Sequence, residues 1–380
     1  MDLPQGAVSG TPAPTIHLAA LTRGGAAAVP ATVTLIAANA LAFGFLLAHG
    51  AGLWHAPTEV QLAWGANFGP ATQDGGWWRL ASAMFMHFGV LHLALNLWAL
   101  WDVGRLVERL IGPWRLAAVF LGSGLAGNLL SLVVQGNEAV SAGASGAIFG
   151  LYGTLLAVLA RERRRFDAHE FRWLFGAAAL FAAVALGLGF FVRGIDNAAH
   201  GGGLAAGALL GLLLRRPLGA HPVPRRERAL AATALAVAVV AMLQALPAPR
   251  YRYGDELAAR RAIRDFATDE QALGVRWRSI LLEADGQSFE SLAGRIDEDI
   301  ASEYEDSFDQ LSSLRLDPAT PSAATVERLR RYAQQRSEAS HALAEALRRG
   351  DEAAARDALD ALRGAGRAAS AASAPTPRAP

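Results

Sequence analysis

The sequence predicts an all-α, polytopic membrane protein that continues into a soluble helical C-terminal region. Three observations predict it. The 380 residues are 52% hydrophobic and only 18% charged, with a mean hydropathy of +0.24, whereas soluble domains carry about 25% charged residues. Seven apolar runs approach the ~20 residues that cross a ~30 Å hydrocarbon core as a helix. Charge is also unevenly placed: residues 1–249 hold 11 acidic and 16 basic residues, and residues 250–380 hold 23 and 19 in about half the length.

Taken in order, the runs are Val29 to Ala48, Met84 to Leu106, Leu116 to Val134, Ser145 to Ala160, Trp173 to Val192, Ala198 to Leu214 and Leu230 to Leu246. The fourth and sixth are short and rich in Gly and Ala, a composition that suits helices buried among other helices. Residues 1–28 form a polar lead without a basic start, so the first run reads as an anchor and not as a cleaved signal. The first six runs make a membrane core over residues 29–214, and residues 229–249 an extra transmembrane helix. Residues 250–363 read as a polar helical region, with helices over Glu256 to Phe266, Val326 to Arg349 and Asp351 to Leu362. Residues 364–380, rich in Ala, Ser and Pro, read as a disordered tail. The acidic cluster from Asp297 to Asp309 lacks the glycine and fixed spacing of an EF-hand loop and reads as a solvated helix face.

All 35 basic residues are arginine, and their placement sets the orientation. Arg23 precedes the first run. Arg105, Arg109 and Arg115 lie between the second and third, and Arg161, Arg163, Arg164, Arg165 and Arg172 between the fourth and fifth. Arg215, Arg216, Arg225, Arg226 and Arg228 follow the sixth. Only Arg79 and Arg193 fall on the other side of an alternating seven-span topology. The N-terminus is therefore expected in the cytoplasm, the C-terminal region outside, and the chain in a bacterial inner membrane. If the seventh run does not cross, the C-terminal region changes sides.

Several chemistries are excluded at once. A net charge of +1 gives no case for nucleic acid. The absence of cysteine removes disulfides, thiol catalysis and Cys-bound metals, and the absence of lysine removes Ser–Lys dyads and Schiff bases. There is no HExxH zinc motif. An aspartyl protease of the membrane needs two buried acids, for which Asp102 is the only candidate.

Polar groups at bilayer depth are functional-site hypotheses. The second run holds His87, His92 and Asn96, with His92 and Asn96 four apart on one helical face. The fourth opens on Gly143-Ala144-Ser145-Gly146, and the sixth on Asn197-Ala198-Ala199-His200 followed by Gly202, Gly203, Gly207 and Gly211. All three sets fall near the outer ends of their runs. Each has an ordinary reading as well: a serine at a helix start serves as an N-cap, histidine and asparagine hydrogen-bond between helices, and small-xxx-small faces let backbones approach. Their conjunction at one depth favours chemistry. Packing Gly146 and Gly150 against Gly203, Gly207 and Gly211 would bring Ser145 within reach of His200, and a serine needs such a base to act as nucleophile. The Ser145 N–H and the side chains of His92 and Asn96 are then the available donors for an oxyanion.

These residues resemble the rhomboid intramembrane serine proteases. The matching pieces are Trp78-Arg79, His87-x4-His92-x3-Asn96, GASGAIFG around Ser145 and AHGGGLAAG from Ala199, spread over Trp78 to Leu214. The resemblance implies a six-helix core with the dyad recessed in a water-filled cavity, no metal and no cofactor. It implies Ser145 as nucleophile, His200 as general base and acid, and His92, Asn96 and the Ser145 amide as the oxyanion hole. Single-span or polytopic membrane proteins would be the substrates. His87, Gly143, Gly146 and Gly203 would support the site, and Arg79 would help anchor the long connection from Gly50 to Arg79 with its four tryptophans. One departure stands out: many relatives carry Tyr four residues after the serine, where this chain has Phe149. Asp196, four residues before His200, reads as a helix cap and not as a triad member, Asp102 and Glu108 as structural partners, and Tyr152 as helix packing.

Two other classes remain beside the enzyme. A rhomboid-like binder of transmembrane clients typically lacks Ser145 or His200, and both are present. A transporter is disfavoured because no paired halves suggest inverted repeats. The sequence carries no signal of oligomeric state.

Overall fold

The computed structural model describes residue 17, residues 26–215 and residues 223–372. The described chain is helical, apart from one isolated antiparallel bridge, Asn67 to Ser141. It divides into two units, residues 1–249 and 250–380. The expected lead over residues 1–28, Arg216 and the last eight residues lie wholly or mostly outside the described residues.

The first unit begins with α1 (Pro30–Ala48). Three short helices follow in the long connection: α2 (Thr58–Trp64), α3 (Gly69–Gln73) and α4 (Arg79–Ser82). Then come α5 (Val90–Ile111), α6 (Pro113–Gln135), α7 (Ser145–Glu162), α8 (Ala168–Leu188), α9 (Asn197–Leu214) and α10 (Arg225–Gln244). Six of them, α1, α5, α6, α8, α9 and α10, are long and apolar enough to cross a membrane. α7 is enclosed among them, with Gly146 to Leu155 buried without a break. The protein is thus an all-α, multi-pass membrane protein.

Local chemistry sets the boundaries. Gly112, at φ +90°, ends α5, and Pro113 opens α6 at a position where its missing N–H costs nothing. Asp167 caps α8 by accepting from the His169 and Glu170 amides at 2.9 and 3.1 Å. The second expected run is displaced: Met84 to Gly89 is not in α5, which starts at Val90 and continues to Ile111. Met84, Met86 and His87 are buried in the bundle as loop and 3-10 turn, so their apolar character reports burial and not helix.

The core is the interleaving of α5, α6, α7 and α9 around Leu100, Val103, Phe120, Leu151, Leu155 and Leu159. α10 is attached at both ends. At its start Glu227 accepts from Arg215 and Arg161, and Arg215, buried, also donates to Glu162 at 2.8 Å. Just beyond its other end the Pro247 carbonyl accepts from Gln73 at 3.1 Å and the Ala248 carbonyl from Asn137 at 3.2 Å.

The second unit contains α11 (Tyr253–Leu282), α12 (Phe289–Ile296), α13 (Ser302–Ser313), α14 (Ala323–Arg349) and α15 (Glu352–Ala372), with a π-helical turn over Asp297–Ala301 joining α12 to α13. Its own core includes Phe266, Leu273, Ile280, Ile300, Tyr304 and Leu343. The helix expected over Glu256 to Phe266 runs on to Leu282, the helix face expected for the acidic cluster from Asp297 to Asp309 falls on the π-helical turn and α13, and α12 was not foreseen. α15 continues past Gly364 to Ala372, where a disordered tail is expected; its alanines have the highest helix propensity of any residue.

Candidate active site

Three helices that run in the same direction, α5, α7 and α9, start side by side. His92 lies in the first turn of α5, Ser145 is the first residue of α7, and His200 lies in the first turn of α9. The His200 Nε2 and Ser145 Oγ are 2.8 Å apart. Ala144, not Ser145, occupies the N-cap of α7, and the Ser145 hydroxyl is bonded to His200 instead, so the ordinary reading of a serine at a helix start does not hold here. His200 is buried, and its other ring nitrogen, Nδ1, has no hydrogen-bond partner among the described residues. Phe149, one turn into α7, lies flat against the imidazole.

Glycine makes this proximity possible. A Cβ on Gly203 would overlap the Gly146 carbonyl, and one on Gly207 would overlap the Gly150 backbone. Gly211 meets Thr154 in the same way, with a built Cβ 2.9 Å from its Cα. The α7 and α9 backbones are therefore in direct contact along three turns, as the spacing predicts. α6 closes the third side: a Cβ on Gly127 would stand 2.6 Å from the Ala199 carbonyl. α6 runs eight residues beyond that contact to Gln135, about 12 Å at 1.5 Å per residue. The α6–α9 contact beside the Ser–His pair thus lies about two turns short of the end of α6.

Hydrogen-bond donors line the same cavity as Ser145. Gly143 has φ +135°, and a Cβ there would fall 2.9 Å from His92 Cε1 and 3.7 Å from Ser145 Oγ. Glycine is required both by the backbone and by the imidazole resting on it. The Asn96 amide donates one of its two protons to the His92 carbonyl at 2.8 Å, leaving the other available. The Ser145 N–H belongs to the first turn of α7, whose amides have no acceptor inside the helix.

Hydrogen bonds hold the segment that delivers Ser145. Asn67 and Ser141 exchange backbone bonds at 2.9 and 2.8 Å, and the Gly143 N–H donates to the Ala83 carbonyl at 2.8 Å. Asn67 Nδ2 donates to the Asn128 carbonyl, and Asn128 Nδ2 to Leu80. Arg79 is buried, donates to the carbonyls of Leu62 at 2.6 Å and Ala66 at 3.2 Å, and lies on the Trp78 ring. It thus places a cation at the C-terminal end of α2. His87 stands in the loop before α5, fully buried, edge-on to His92 at 5.1 Å, with its carbonyl accepting from Gln61.

The acids have other duties. Asp196 caps α9 through the Ala199 amide at 2.9 Å and accepts from Ser131 at 2.5 Å and Ser141 at 2.6 Å. Glu108, buried at the far end of α5, accepts from the amides of Ala31 and Thr32 and the Thr32 hydroxyl. Asp102 receives the Tyr152 hydroxyl at 3.4 Å, and the Tyr152 ring stacks on Phe181. Ser131 and Ser141 are the residues that sequence reading missed; neither lies in a motif, and each meets Asp196 across more than fifty positions.

A cavity of about 730 Å³ opens above the pair. Ser145, His200, His92, Asn96, Gly143 and Phe149 line it, as do Asp196 and Arg193. His87 does not, being one layer behind His92. On one flank the wall is Leu95 and Ala99 of α5 and Phe181, Ala185 and Leu188 of α8.

Residues 74–217 match the family model described as Rhomboid domain. The chain is 40% identical over 185 residues to "Rhomboid protease GluP" of Bacillus subtilis (strain 168), which covers 48% of this chain and 35% of that protein. It is 38% identical over 147 residues to "RHOMBOID-like protein 5" of Arabidopsis thaliana, covering 38% and 47%. It is 34% identical over 178 residues to "Putative rhomboid protease YdcA" of Bacillus subtilis (strain 168), covering 44% of this chain and 86% of that one. The chain thus spans about a third to a half of the length of the first two relatives and most of the third.

Proposed function

The chain belongs to the rhomboid family, and from that membership and the Ser145–His200 hydrogen bond we propose that it is an intramembrane serine endopeptidase. The observation that carries the proposal is the 2.8 Å contact between His200 Nε2 and Ser145 Oγ at the floor of a recessed cavity. In that arrangement His200 takes the hydroxyl proton as Ser145 Oγ bonds to the carbonyl carbon of a peptide, and returns it to the leaving amine as the C–N bond breaks. Water then attacks the acyl-enzyme by the same route and frees Ser145. A dyad suffices for such chemistry, and the His200 Nδ1, without a partner among the described residues, accords with it.

The tetrahedral oxyanion requires donors fixed in advance. The Ser145 N–H, the second Asn96 amide proton and the His92 imidazole belong to residues lining the same cavity and are the available donors. The aligned N-terminal ends of α5, α7 and α9 add partial positive charge at the same place. His87 backs His92, Phe149 supports His200, Gly143 seats His92, and Gly146 and Gly203 allow the approach of the two helices. Arg79 acts at a distance, by holding the connection that carries α2 to α4.

The substrates would be membrane proteins cut in or next to a transmembrane segment. The apolar flank between Leu95 and Phe181 suits entry of such a helix from the bilayer. The arginine distribution favours a cytoplasmic N-terminus, and the two attachments of α10 support a seventh crossing, which would carry residues 250–380 out of the cytoplasm. The proposed location is a bacterial inner membrane.

The test is labelling by a serine-directed fluorophosphonate together with cleavage of a single-span reporter. Wild type should label and cut, while Ser145→Ala and His200→Ala should do neither and remain folded. Full activity in Ser145→Ala overturns the serine mechanism; labelling that ignores both residues would leave a binder of transmembrane clients as the better reading.

A further inference from the structure

The Ser145–His200 contact has a counterpart one step above it. Ser141 stands four residues before Ser145, and Asp196 four residues before His200. The Ser141 hydroxyl donates to Asp196 Oδ2 at 2.6 Å, so the same two segments are bridged twice in the same register. Ser131 of α6 donates to the same oxygen at 2.5 Å, while the other carboxylate oxygen, Oδ1, caps α9 at the Ala199 amide. One carboxylate therefore joins three pieces of chain: α6, the segment that delivers the nucleophile, and the helix that carries the base. We propose that Asp196 is a positioning residue, which sets the distance and angle between Ser145 and His200 by tying Ser141 and Ser131 to the first turn of α9.

The chemistry of the contacts supports this role over that of a third catalytic group. Both Asp196 oxygens are engaged, and neither reaches His200 Nδ1, which has no partner among the described residues. Bonds from hydroxyls to an ionised carboxylate are short and about twice as strong as neutral ones. The carboxylate is also favourable at a helix N-terminus. The segment from Asn137 to Ala144 has no helix of its own; its position rests on the Asn67 bridge, the Gly143–Ala83 bond and Asp196. A change of about 1 Å in a reacting pair costs on the order of a hundredfold in rate, so a tether this close to the pair acts on turnover. The inference rests on the protease reading, and its test is arranged to separate the two.

The full-length chain in nanodiscs is treated with a fluorophosphonate, and kcat and KM are measured on a single-span reporter. Wild type and Ser145→Ala come first: absence of Ser145-dependent labelling refutes the protease reading itself. Where labelling is Ser145-dependent, Asp196→Ala and Ser141→Ala are each expected to lower kcat and the labelling rate by about ten- to a hundredfold, with KM little changed. Asp196→Asn should keep roughly a third or more of the rate, because asparagine caps a helix equally well and its amide can donate to both serine oxygens. Adding Ser141→Ala to Asp196→Ala should cost little more, since both break one tether. Wild-type kcat in Ser141→Ala or Asp196→Ala, a loss in Asp196→Asn as deep as in the alanine variant, or losses that multiply would each overturn the proposal. If Asp196→Ala does not fold, Ser141→Ala and Asp196→Asn decide alone.

Discussion

The ring of Phe149 lies against the imidazole of His200, with centroids 4.3 Å apart and planes inclined by 16°. Many relatives place a tyrosine at this point, and the stacking survives here without a phenol hydroxyl. An aromatic pair of this kind is worth about 0.5–1.5 kcal/mol, enough to bias the rotamer of a histidine that has only one hydrogen-bond partner. Phe149→Ala is therefore expected to lower kcat about tenfold, through a less ordered base, and Phe149→Tyr to stay near wild type. Rates of reporter cleavage by purified protein measure both. A wild-type rate in Phe149→Ala would show that Ser145 alone orients the imidazole.

Backbone contact between α7 and α9 makes a sharper demand. A Cβ at Gly207 would enter the Gly150 backbone, which cannot give way as a side chain can, whereas Gly201, six residues nearer the start of α9, has nothing among the described residues within 4 Å of a built Cβ. Overpacking of a tight core costs about 1–3 kcal/mol, and more where backbone is struck. Gly207→Ala should lower the melting temperature strongly and move His200 away from Ser145, so that labelling falls with stability. Gly201→Ala should melt and label like wild type. Equal behaviour of the two variants would refute the packing argument.

The parts of this fold that could be read from sequence are those that repeat locally. Apolar runs found α1 and α6 to α10 because the bilayer demands them, and the glycine spacing on α7 and α9 foretold their contact. The loop of Met84 to Gly89 misled because burial inside a bundle uses the same residues as burial in lipid. Glu108 reaching the α1 amides, and Asp196 joining Ser131 to Ser141, join residues 55 to 77 positions apart, and no local pattern encodes such a meeting. In the second unit a signal did exist: the buried Ala293, Ile296, Ile300, Tyr304, Ser307 and Leu311 recur every three or four residues. The acidic residues between them are the solvated face of that helix, as expected.

Two tyrosines of the second unit share one acceptor. Tyr304 and Tyr332 donate to Glu270 at 2.8 and 2.7 Å. Burial, opposed by the Arg336 guanidinium and reinforced by Glu270, pushes the Tyr304 phenol up to about 12; burial and the bond to Glu270 push Tyr332 up as well. The neutral phenols are thus favoured by the folded state. The contribution of Tyr304 is fully present below the unfolded value of ~10 and is lost as pH rises through about 12, while that of Tyr332 persists to higher pH. Hydrogen exchange of α14 in the full chain should accelerate over that window, and less so in Tyr304→Phe combined with Tyr332→Phe. Phenolate absorbance appearing near pH 10 from both residues, with α14 still protected, would contradict the shift.

The ends of α10 carry the topology. Its 20 residues span about 30 Å, the thickness of a hydrocarbon core. It starts where Arg215 and Arg161 meet Glu227, beside the last turn of α7, and the chain beyond it is held at Gln73 and Asn137, near the end of α6. α7 runs the other way, from Ser145 to Glu162, so α10 covers the same depth in reverse. Contacts at both levels favour a crossing over a helix folded back along the inner surface. A phosphatase reporter fused after residue 250 should therefore be active outside the cell, and a green fluorescent protein fused there dark. The same reporters inserted between residues 216 and 222 should give the opposite pair. An inactive phosphatase with a bright fluorescent fusion after residue 250 would remove the seventh crossing and return residues 250–380 to the cytoplasm.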